Sequence, residues 1–529
     1  MMGDLASGTQ ASVATDNINP SLLNRLFKKF NSSLMSVWFR KIEVIDNQNI
    51  PPKGGIIYIS WHPSGMIDPL ILHSSLPGNV SVATSHDLLK VPVLGWILKS
   101  GGLVPINYSD DSLGGEYDSS EMLSWIANLV ANGGKVVIFP QGRSNGGSEI
   151  SNIRSDVSKV LLEAMNYSGK HNLPMPKIIP IGLHYSNSQK FRERCAIILE
   201  RPMEFDEIPD TSLATSPQIQ KWLLATNRSI ESELNRASQS RASWEERELI
   251  WLARSIAYAE RKKISGDKPV KPTFSESILG ARRIRAGWEY YAENNPARIE
   301  SLVQQSKEHF RELSSLNLSP IDVSIKPEKP SLGGQIKALF LWAWSAAWMF
   351  GLVTWSALIG NGPPYQANYL TMSYLNKRNL DESIQATMKI SIGLVLFPIW
   401  WTFLSISIAV ILLSSSSPIY ILFNKHWLLA KLTMINPLLV FLLLMMWWPI
   451  SGKLHMNLYS RLVANWRNLT RWRRWRKSDH DWIRLSERQS NIGMQLIEFG
   501  DKLVLPGDLE WVAPKTGYDD YTSVKPRQG

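Results

Sequence analysis

Three long apolar runs, Ala338 to Ile359, Ile390 to Leu413 and Trp427 to Trp448, constrain this chain more than any other feature. The first two carry no charged side chain, and the third carries only Lys431, near its start. Each is long enough to cross about 30 Å of hydrocarbon, where a segment has to satisfy its own backbone polar groups, so each is expected to be helical. The chain has 22 Trp, many in or beside these runs, as indoles are at a membrane interface. One such run fits a buried core helix; three with flanking tryptophans point to membrane embedding.

The formal charge is +11, which favours polyanionic partners. Beyond the third run, Arg467, Arg471, Arg473, Arg474, Arg476 and Lys477 interleave with Trp466, Trp472 and Trp475. That pattern suits an anionic lipid surface rather than nucleic acid, and by the positive-inside rule it faces the cytosol. If the N-terminal part is cytosolic too, an odd number of full crossings is excluded. One run, the first or the Pro437-containing third, is then re-entrant, interfacial or split. The single cysteine, Cys195, rules out a disulfide framework and a cysteine zinc site, and no metal site is read.

The rest divides by composition. Residues 1–19 are polar with no apolar core segment, so they read as a disordered tail rather than a secretory signal. From Ser21 to Phe39, Leu22, Leu23, Leu26, Phe27, Phe30, Leu34, Val37 and Trp38 recur at helical spacing with Arg25, Lys28 and Lys29 among them. This fits an interfacial helix and a helix packed on the domain equally. Residues 20–205 then alternate strand-like runs with helical ones, giving an α/β domain with a mixed sheet flanked by helices. Strands are expected at Ile56–Ser60, Val80–Ala83, Leu103–Ile106, Val136–Phe139, Ile178–Leu183 and Ala196–Leu199. Helices are expected at Pro69–Ser75, Asp87–Ser100, Ser119–Asn132 and Asn152–Tyr167. Residues 206–318 form a charged helical accessory region, with helices at Trp244–Lys263 and Ile284–Leu313, the latter broken near Asn295-Pro296. A Pro/Gly-rich linker at 319–334, membrane segments at 335–450 and a basic Trp/Arg-rich tail at 451–529 complete the chain.

Chemistry concentrates where strands run into loops. His62 and Asp68 follow Ile56–Ser60, so an imidazole able to take a hydroxyl proton sits near a carboxylate able to fix its tautomer. The run Val136–Phe139 leads into Pro140, Gln141, Gly142, Arg143 and Ser144, which offer backbone donors, a guanidinium and a hydroxyl suited to a phosphate. Pro180 interrupts the strand Ile178–Leu183, as expected of a sheet edge, a bulge or an irregular strand near a site. A glycine pair, Gly101 and Gly102, precedes Leu103–Ile106, which ends at Asn107.

In order and spacing these blocks resemble the glycerolipid acyltransferases, the glycerol-3-phosphate, dihydroxyacetone-phosphate and lysophosphatidate acyltransferases. The likeness spans Ile56 to Pro202, and His62, Pro63, Asp68, Pro69 and Leu70 fit the family's H-P-x-x-x-x-D-P-L pattern. The accessory region with Trp251-Leu252-Ala253-Arg254 and the membrane segments look most like the fungal-type glycerol-3-phosphate/dihydroxyacetone-phosphate branch. The resemblance implies an enzyme that moves a fatty acyl chain from acyl-CoA, a co-substrate, to the sn-1 hydroxyl of glycerol-3-phosphate or dihydroxyacetone phosphate, with no cofactor. His62 and Asp68 are then catalytic, and Asn107, Gln141, Gly142, Arg143, Ser144 and Pro180 fall in the substrate-binding blocks. A eukaryotic chain of this type belongs in the endoplasmic reticulum, a bacterial one in the cytoplasmic membrane, with the catalytic domain facing the cytosol. Gln141 stands where the family has Glu, and Asn107 where it has Arg. These departures leave two alternatives: a lysophosphatidate acyltransferase, or a catalytically silent lipid-binding membrane protein.

Overall fold

The computed structural model of the chain describes residues 22–85, 102–106, 119–142, 150, 153–186, 192–206, 208–239, 244–267, 272–316, 318–324, 331–377, 382–414, 416–425, 436–476 and 479–527. The expected tail at 1–19 and helix Asp87–Ser100 lie outside the described residues. Two units divide the chain: Met1–Ile325 with Arg484–Gly529, and Lys326–Ile483.

The first unit is built on a seven-stranded sheet. Its strands are β1 (Phe39–Ile45), β2 (Ile56–Ser60), β3 (Ser81–Ser85), β4 (Leu103–Ile106), β5 (Lys135–Ile138), β6 (Lys177–Tyr185) and β7 (Glu193–Leu199), in the spatial order β1-β7-β6-β2-β5-β3-β4. Five neighbours, β6 to β4, run parallel; β7 is antiparallel to β6, and β1 is parallel to β7. A parallel strand needs cover on both faces, and all five residues of β2 are buried. The covering helices are α1 (Leu22–Trp38), α2 (Ile67–Ser75), α3 (Ser119–Ala131) and α4 (Asp156–Lys170). One apolar core joins Ile57, Ile59, Val136, Ile138 and Ile178 of the sheet to Ile126, Val130, Val160 and Leu161 of α3 and α4.

Of the alternatives open for Pro180 the sheet edge is excluded: it lies in an interior strand, it pairs with Ile59 of β2, and its carbonyl accepts from the Glu200 N–H. The N–H that proline lacks would point to the same side as that carbonyl, just beyond the end of β7, so the ladder loses only its last bond. Strand β1 is an addition: Arg40, Lys41 and Glu43 mask its alternation, which is tolerable because it is an edge strand.

The accessory helices are α5 (Ser216–Ser238), α6 (Trp244–Ile264), α7 (Phe274–Asn294), α8 (Pro296–Ser315) and the short α9 (Pro320–Ser324). Helix α7 starts ten residues before the expected Ile284, at a capping box in which Thr273 and Glu276 answer each other's backbone N–H groups. Glu43 of β1 also accepts from the N–H groups of Phe274 and Ser275, tying this helix to the sheet edge. Burial pushes the Glu43 pKa up, but the Ser275, Lys41 and Phe274 hydrogen bonds outweigh it and bring it down to about 2. The expected linker at 319–334 is partly structured: the Ser319 hydroxyl accepts from the Asp322 N–H at the start of α9, and Pro320 and Val323 are buried.

The second unit comprises α10 (Leu332–Met349), α11 (Leu352–Asn376), α12 (Glu382–Leu413), α13 (Pro418–Asn424) and α14 (Pro437–Arg476). Within α12 and α14, Thr387–Leu412 and Pro437–Trp466 are each long and apolar enough to cross a membrane. The first apolar run is not one helix: α10 and α11 meet at Phe350 and Gly351 with a 61° bend. Pro437 does not interrupt a helix; it opens α14, where a missing N–H costs nothing. Residues 427–435 of the third run lie outside the described residues. Close packing centres on Gly360, where a Cβ would come within 2.2 Å of the Trp448 ring. Around it Trp400 and Trp401 donate to the carbonyls of Ile359 and Gly360, and Trp448 donates to Ser405. These indoles hold helices together, as polar groups do in apolar surroundings.

The expected single tail at 451–529 is corrected as well. Helix α14 runs on to Arg476, and α15 (Asp479–Asp501) follows. From Arg484 the chain belongs to the first unit. The reason is an apolar stripe, Ile492 and Phe499, that packs on Leu249, Leu252, Ile256 and Leu302 of α6 and α8. Beyond it, β8 (Leu503–Val504) pairs with β9 (Lys525–Pro526). Asp520 then enters a buried ionic cluster: Arg282 donates to it through Nε and Nη2, at 2.5 and 3.0 Å, and to both Glu200 oxygens at 3.0 and 3.1 Å. Arg236 reaches Asp520 and Glu233, and Glu233 accepts from the Gly517 N–H. Burial would raise the Asp520 pKa, yet the Arg282 and Arg236 charges hold it below the usual carboxylate range.

Two predictions follow from buried groups in this unit. Asp520→Ala leaves the Arg282 charge with half its partners and should lower unfolding stability by about 3–5 kcal/mol, read by denaturant titration. His184 of β6 is buried with Nε2 3.1 Å from the Ala237 carbonyl, and burial, reinforced by the Arg247 charge, pushes its pKa down to about 3. Below its unfolded value of about 6.5 the unfolded chain takes up a proton that the folded chain refuses, so stability is lost as pH falls. His184→Gln should make the loss between pH 7 and 5 smaller by about 2 kcal/mol.

Candidate active site

The C-terminal ends of β6, β2 and β5 lie side by side, and each delivers a side chain to one place, as expected for an open parallel sheet. Strand β2 ends at Ser60, and the chain turns through Trp61 to Met66 into α2. Gly65 makes the turn with φ of 54°, in the left-handed region. The turn brings the first helical residues back over the strand end. His62 Nδ1 lies 2.8 Å from Asp68 Oδ2, and that oxygen also accepts from the Ser64 N–H at 2.6 Å. Asp68 has no solvent exposure, whereas the His62 side chain keeps 16%. The sequence-predicted pair is therefore assembled.

A third group completes the carboxylate's environment. Tyr185, the last residue of β6, donates its hydroxyl to Asp68 Oδ1 at 2.6 Å. Sequence reading ended the expected strand at Leu183 and gave Tyr185 no role, whereas the strand runs on to it. The available signal was that β6 outlasts β2: Ser60 pairs with Ile181, and the strand continues four residues to Tyr185. Burial, then the Asp68 charge, raises the Tyr185 pKa well above its ordinary value, so the phenol stays a donor across the working range. Phe39 stacks on its ring at 5.5 Å, and Phe139 stacks on His62 at 4.3 Å. With Nδ1–H donated to Asp68, the neutral imidazole carries its basic lone pair on Nε2. Such a pair can accept a proton from a hydroxyl and stabilise the resulting imidazolium.

The accessory region contributes a cation that sequence reading also missed. Arg247 of α6 lies over the Trp61 ring, 5.5 Å from its centre, and Trp61 immediately precedes His62. Burial, and then the neighbouring Arg285, lowers the Arg247 pKa to about 10, so it remains charged near neutrality.

Of the expected substrate-binding residues, Gln141 and Gly142 follow Phe139, whose ring lies against His62. Both amide heteroatoms of Gln141 are buried without a hydrogen-bond partner among the described residues. Gly142 adopts φ of 72°, and its N–H bonds the Phe139 carbonyl, closing a tight turn. Pro180 is buried within the sheet. Asn107, Arg143 and Ser144 lie outside the described residues. Among the described residues no cluster of His, Cys, Asp and Glu could hold a metal ion.

Residues 41–184 match the family model described as Acyltransferase, so an acyltransferase domain covers the stretch that carries His62, Asp68, Gln141 and all of β6 but its last residue. Among solved structures the chain is similar to the 1-acyl-sn-glycerophosphate (LPA) acyltransferase PlsC from Thermotoga maritima. The two are 12% identical, the match covers 40% of this chain and 79% of that one, and the TM-score is 0.27. No curated protein matches the chain.

Tyr185→Phe tests how far the site depends on its third member. A hydrogen bond to a charged group is worth about 1.5–3 kcal/mol, so acyl-transfer turnover should fall roughly ten- to hundredfold. The KM for the acyl donor, measured in the same initial-rate series, should stay within about twofold of wild type.

Proposed function

We propose that this protein transfers a fatty acyl chain from acyl-CoA to the sn-1 hydroxyl of glycerol-3-phosphate or dihydroxyacetone phosphate, the first acylation in glycerophospholipid synthesis. The observation that carries this reading is the buried Asp68 carboxylate, held by three donors and aimed at His62, inside an acyltransferase domain.

In the proposed reaction His62 Nε2 removes the proton from the acceptor hydroxyl as its oxygen attacks the thioester carbonyl. The tetrahedral intermediate collapses by breaking the carbon–sulfur bond, and the CoA sulfur leaves with the proton held on the imidazole. No acyl-enzyme forms. Asp68 fixes the imidazole tautomer and balances its transient charge, and Tyr185 fixes Asp68. The acceptor phosphate is assigned to Arg143, the backbone N–H groups around Gly142, and Ser144, with Asn107 nearby. Gln141 supports this assignment: a buried amide without partners is costly, and an acceptor oxygen would relieve it. Pro180 shapes the strand behind the site. The helices Thr387–Leu412 and Pro437–Trp466 suit an enzyme whose acyl donor and product partition into a bilayer. We assign the chain to the endoplasmic reticulum in a eukaryote or the cytoplasmic membrane in a bacterium, with the site facing the cytosol.

An acceptor screen tests the reading. Full-length protein in detergent micelles, given labelled acyl-CoA, should acylate glycerol-3-phosphate or dihydroxyacetone phosphate in preference to lysophosphatidate. Acylation of lysophosphatidate alone would make it an acyltransferase of the next step. Acyl-CoA binding without CoA release on any acceptor would make it a silent lipid-binding protein. His62→Ala should reduce transfer by about 10²–10⁴-fold with the fold intact, and retention of most of the rate would overturn the mechanism.

A further inference from the structure

Helix α1 is packed the opposite way from an ordinary surface helix. The side chains it buries against the domain are Asn24, Phe27, Asn31 and Met35, two of them amides. Asn31 Nδ2 donates to the Leu70 carbonyl at 2.8 Å and lies 3.3 Å from His73 Nδ1, while Phe27 meets the His73 ring at 5.4 Å. Lys28 turns inward and donates to the carbonyls of Leu76 and Gly78. The apolar stripe is left outside: Leu22 is 68% exposed, Leu23 44%, Leu26 54% and Phe30 54%. A soluble surface helix keeps its leucines for the core, so a stripe of this width on the outer face marks an interaction surface.

The occupant is chosen by what borders the stripe. Arg25 and Lys29 are exposed on the flank beside it, and Arg40 and Lys41 are exposed where the helix runs into β1. Apolar residues on one face with a basic border are the pattern of a helix lying in a bilayer interface, leucine and phenylalanine among the acyl chains and cations among the headgroup phosphates. A protein partner would call for polar complementarity along this rim, whereas an anionic lipid leaflet matches it directly. The same chain carries helices long and apolar enough to cross a membrane.

We propose that α1 docks on the lipid leaflet as an in-plane helix, its Leu22, Leu23, Leu26 and Phe30 side chains buried among acyl chains and Arg25 and Lys29 on anionic headgroups. Its inner face is fixed by hydrogen bonds to α2, the helix that carries Asp68. Packed helices lie about 8–10 Å apart, so docking α1 sets the Asp68-bearing helix one helix layer beneath the headgroups. The proposal does not rest on the acyl-transfer reading, and its test needs no activity.

Cys195, the chain's one cysteine, is fully buried, so a cysteine placed at Leu26 can be labelled selectively with a fluorophore. Leu213, 83% exposed in the same unit, serves as the control position. The full chain is reconstituted in phosphatidylcholine–phosphatidylglycerol nanodiscs, and quenching by chain-attached doxyl lipid is compared with quenching by aqueous iodide. The label at Leu26 should be quenched several-fold more by doxyl lipid than the label at Leu213, with iodide showing the reverse order. A second label at Phe30 should follow Leu26. Iodide quenching at Leu26 equal to that at Leu213 would show a solvated face. Protection at Leu26 from both quenchers would show a protein-covered one. Either result overturns the proposal.

Discussion

A carboxylate stripped of water needs donors for both its oxygens, and Asp68 has them from three directions. Ser64 N–H and His62 take Oδ2, and Tyr185 takes Oδ1. Each donor comes from a different level of the fold: a backbone turn, the second residue past a strand end, and the tip of the neighbouring strand. The first turn of α2, where Asp68 sits, adds a favourable field of its own. The arrangement requires β6 to lie beside β2 and to extend past it. The sheet order is thus the condition for the site, and Asp68 records whether it has been met.

The second dependence is on the far end of the chain. Asp520, Glu200 and Glu233 surround Arg282 and Arg236 in a buried cluster that draws on the end of β7, α5, α7 and the C-terminal segment together. Guanidinium groups suit this role because a planar fork can serve two carboxylates at once, which an ammonium cannot do with fixed geometry. Such clusters contribute little net stability, but they tolerate the loss of no member, and so they define which segments must be present together.

Much of this was legible in the residues. The strands Ile56–Ser60 and Leu103–Ile106 form with the expected bounds, because short β-branched runs between glycines and prolines leave few alternatives. The His62–Asp68 pair was visible because a strand end is where side chains converge. Tyr185 was not, since its partner lies 117 residues earlier and only strand register joins them. Strand β1 was hidden by Arg40, Lys41 and Glu43, which an edge strand carries and a central one does not. For Pro180 an edge, a bulge and an irregular strand stayed open, because the sequence gives no sign that β7 stops one residue short of it. Arg247 reaches Trp61 from a helix that the sequence marks only as charged and amphipathic. In each case the missing information was long-range pairing, which local periodicity does not encode.

The return of residues from Arg484 onward into the first unit has a topological consequence. Both strands of chain that lead into and out of residues 326–483 are anchored in one folded body, joined by the Arg282–Asp520 pairing and by the apolar stripe of α15. A folded body occupies one side of a bilayer. Any path from that body through a membrane and back has even parity, whatever the number of helices along it. An odd count of apolar helices in such a chain is therefore not a count of crossings: either one of them turns back, or a further stretch of chain goes through.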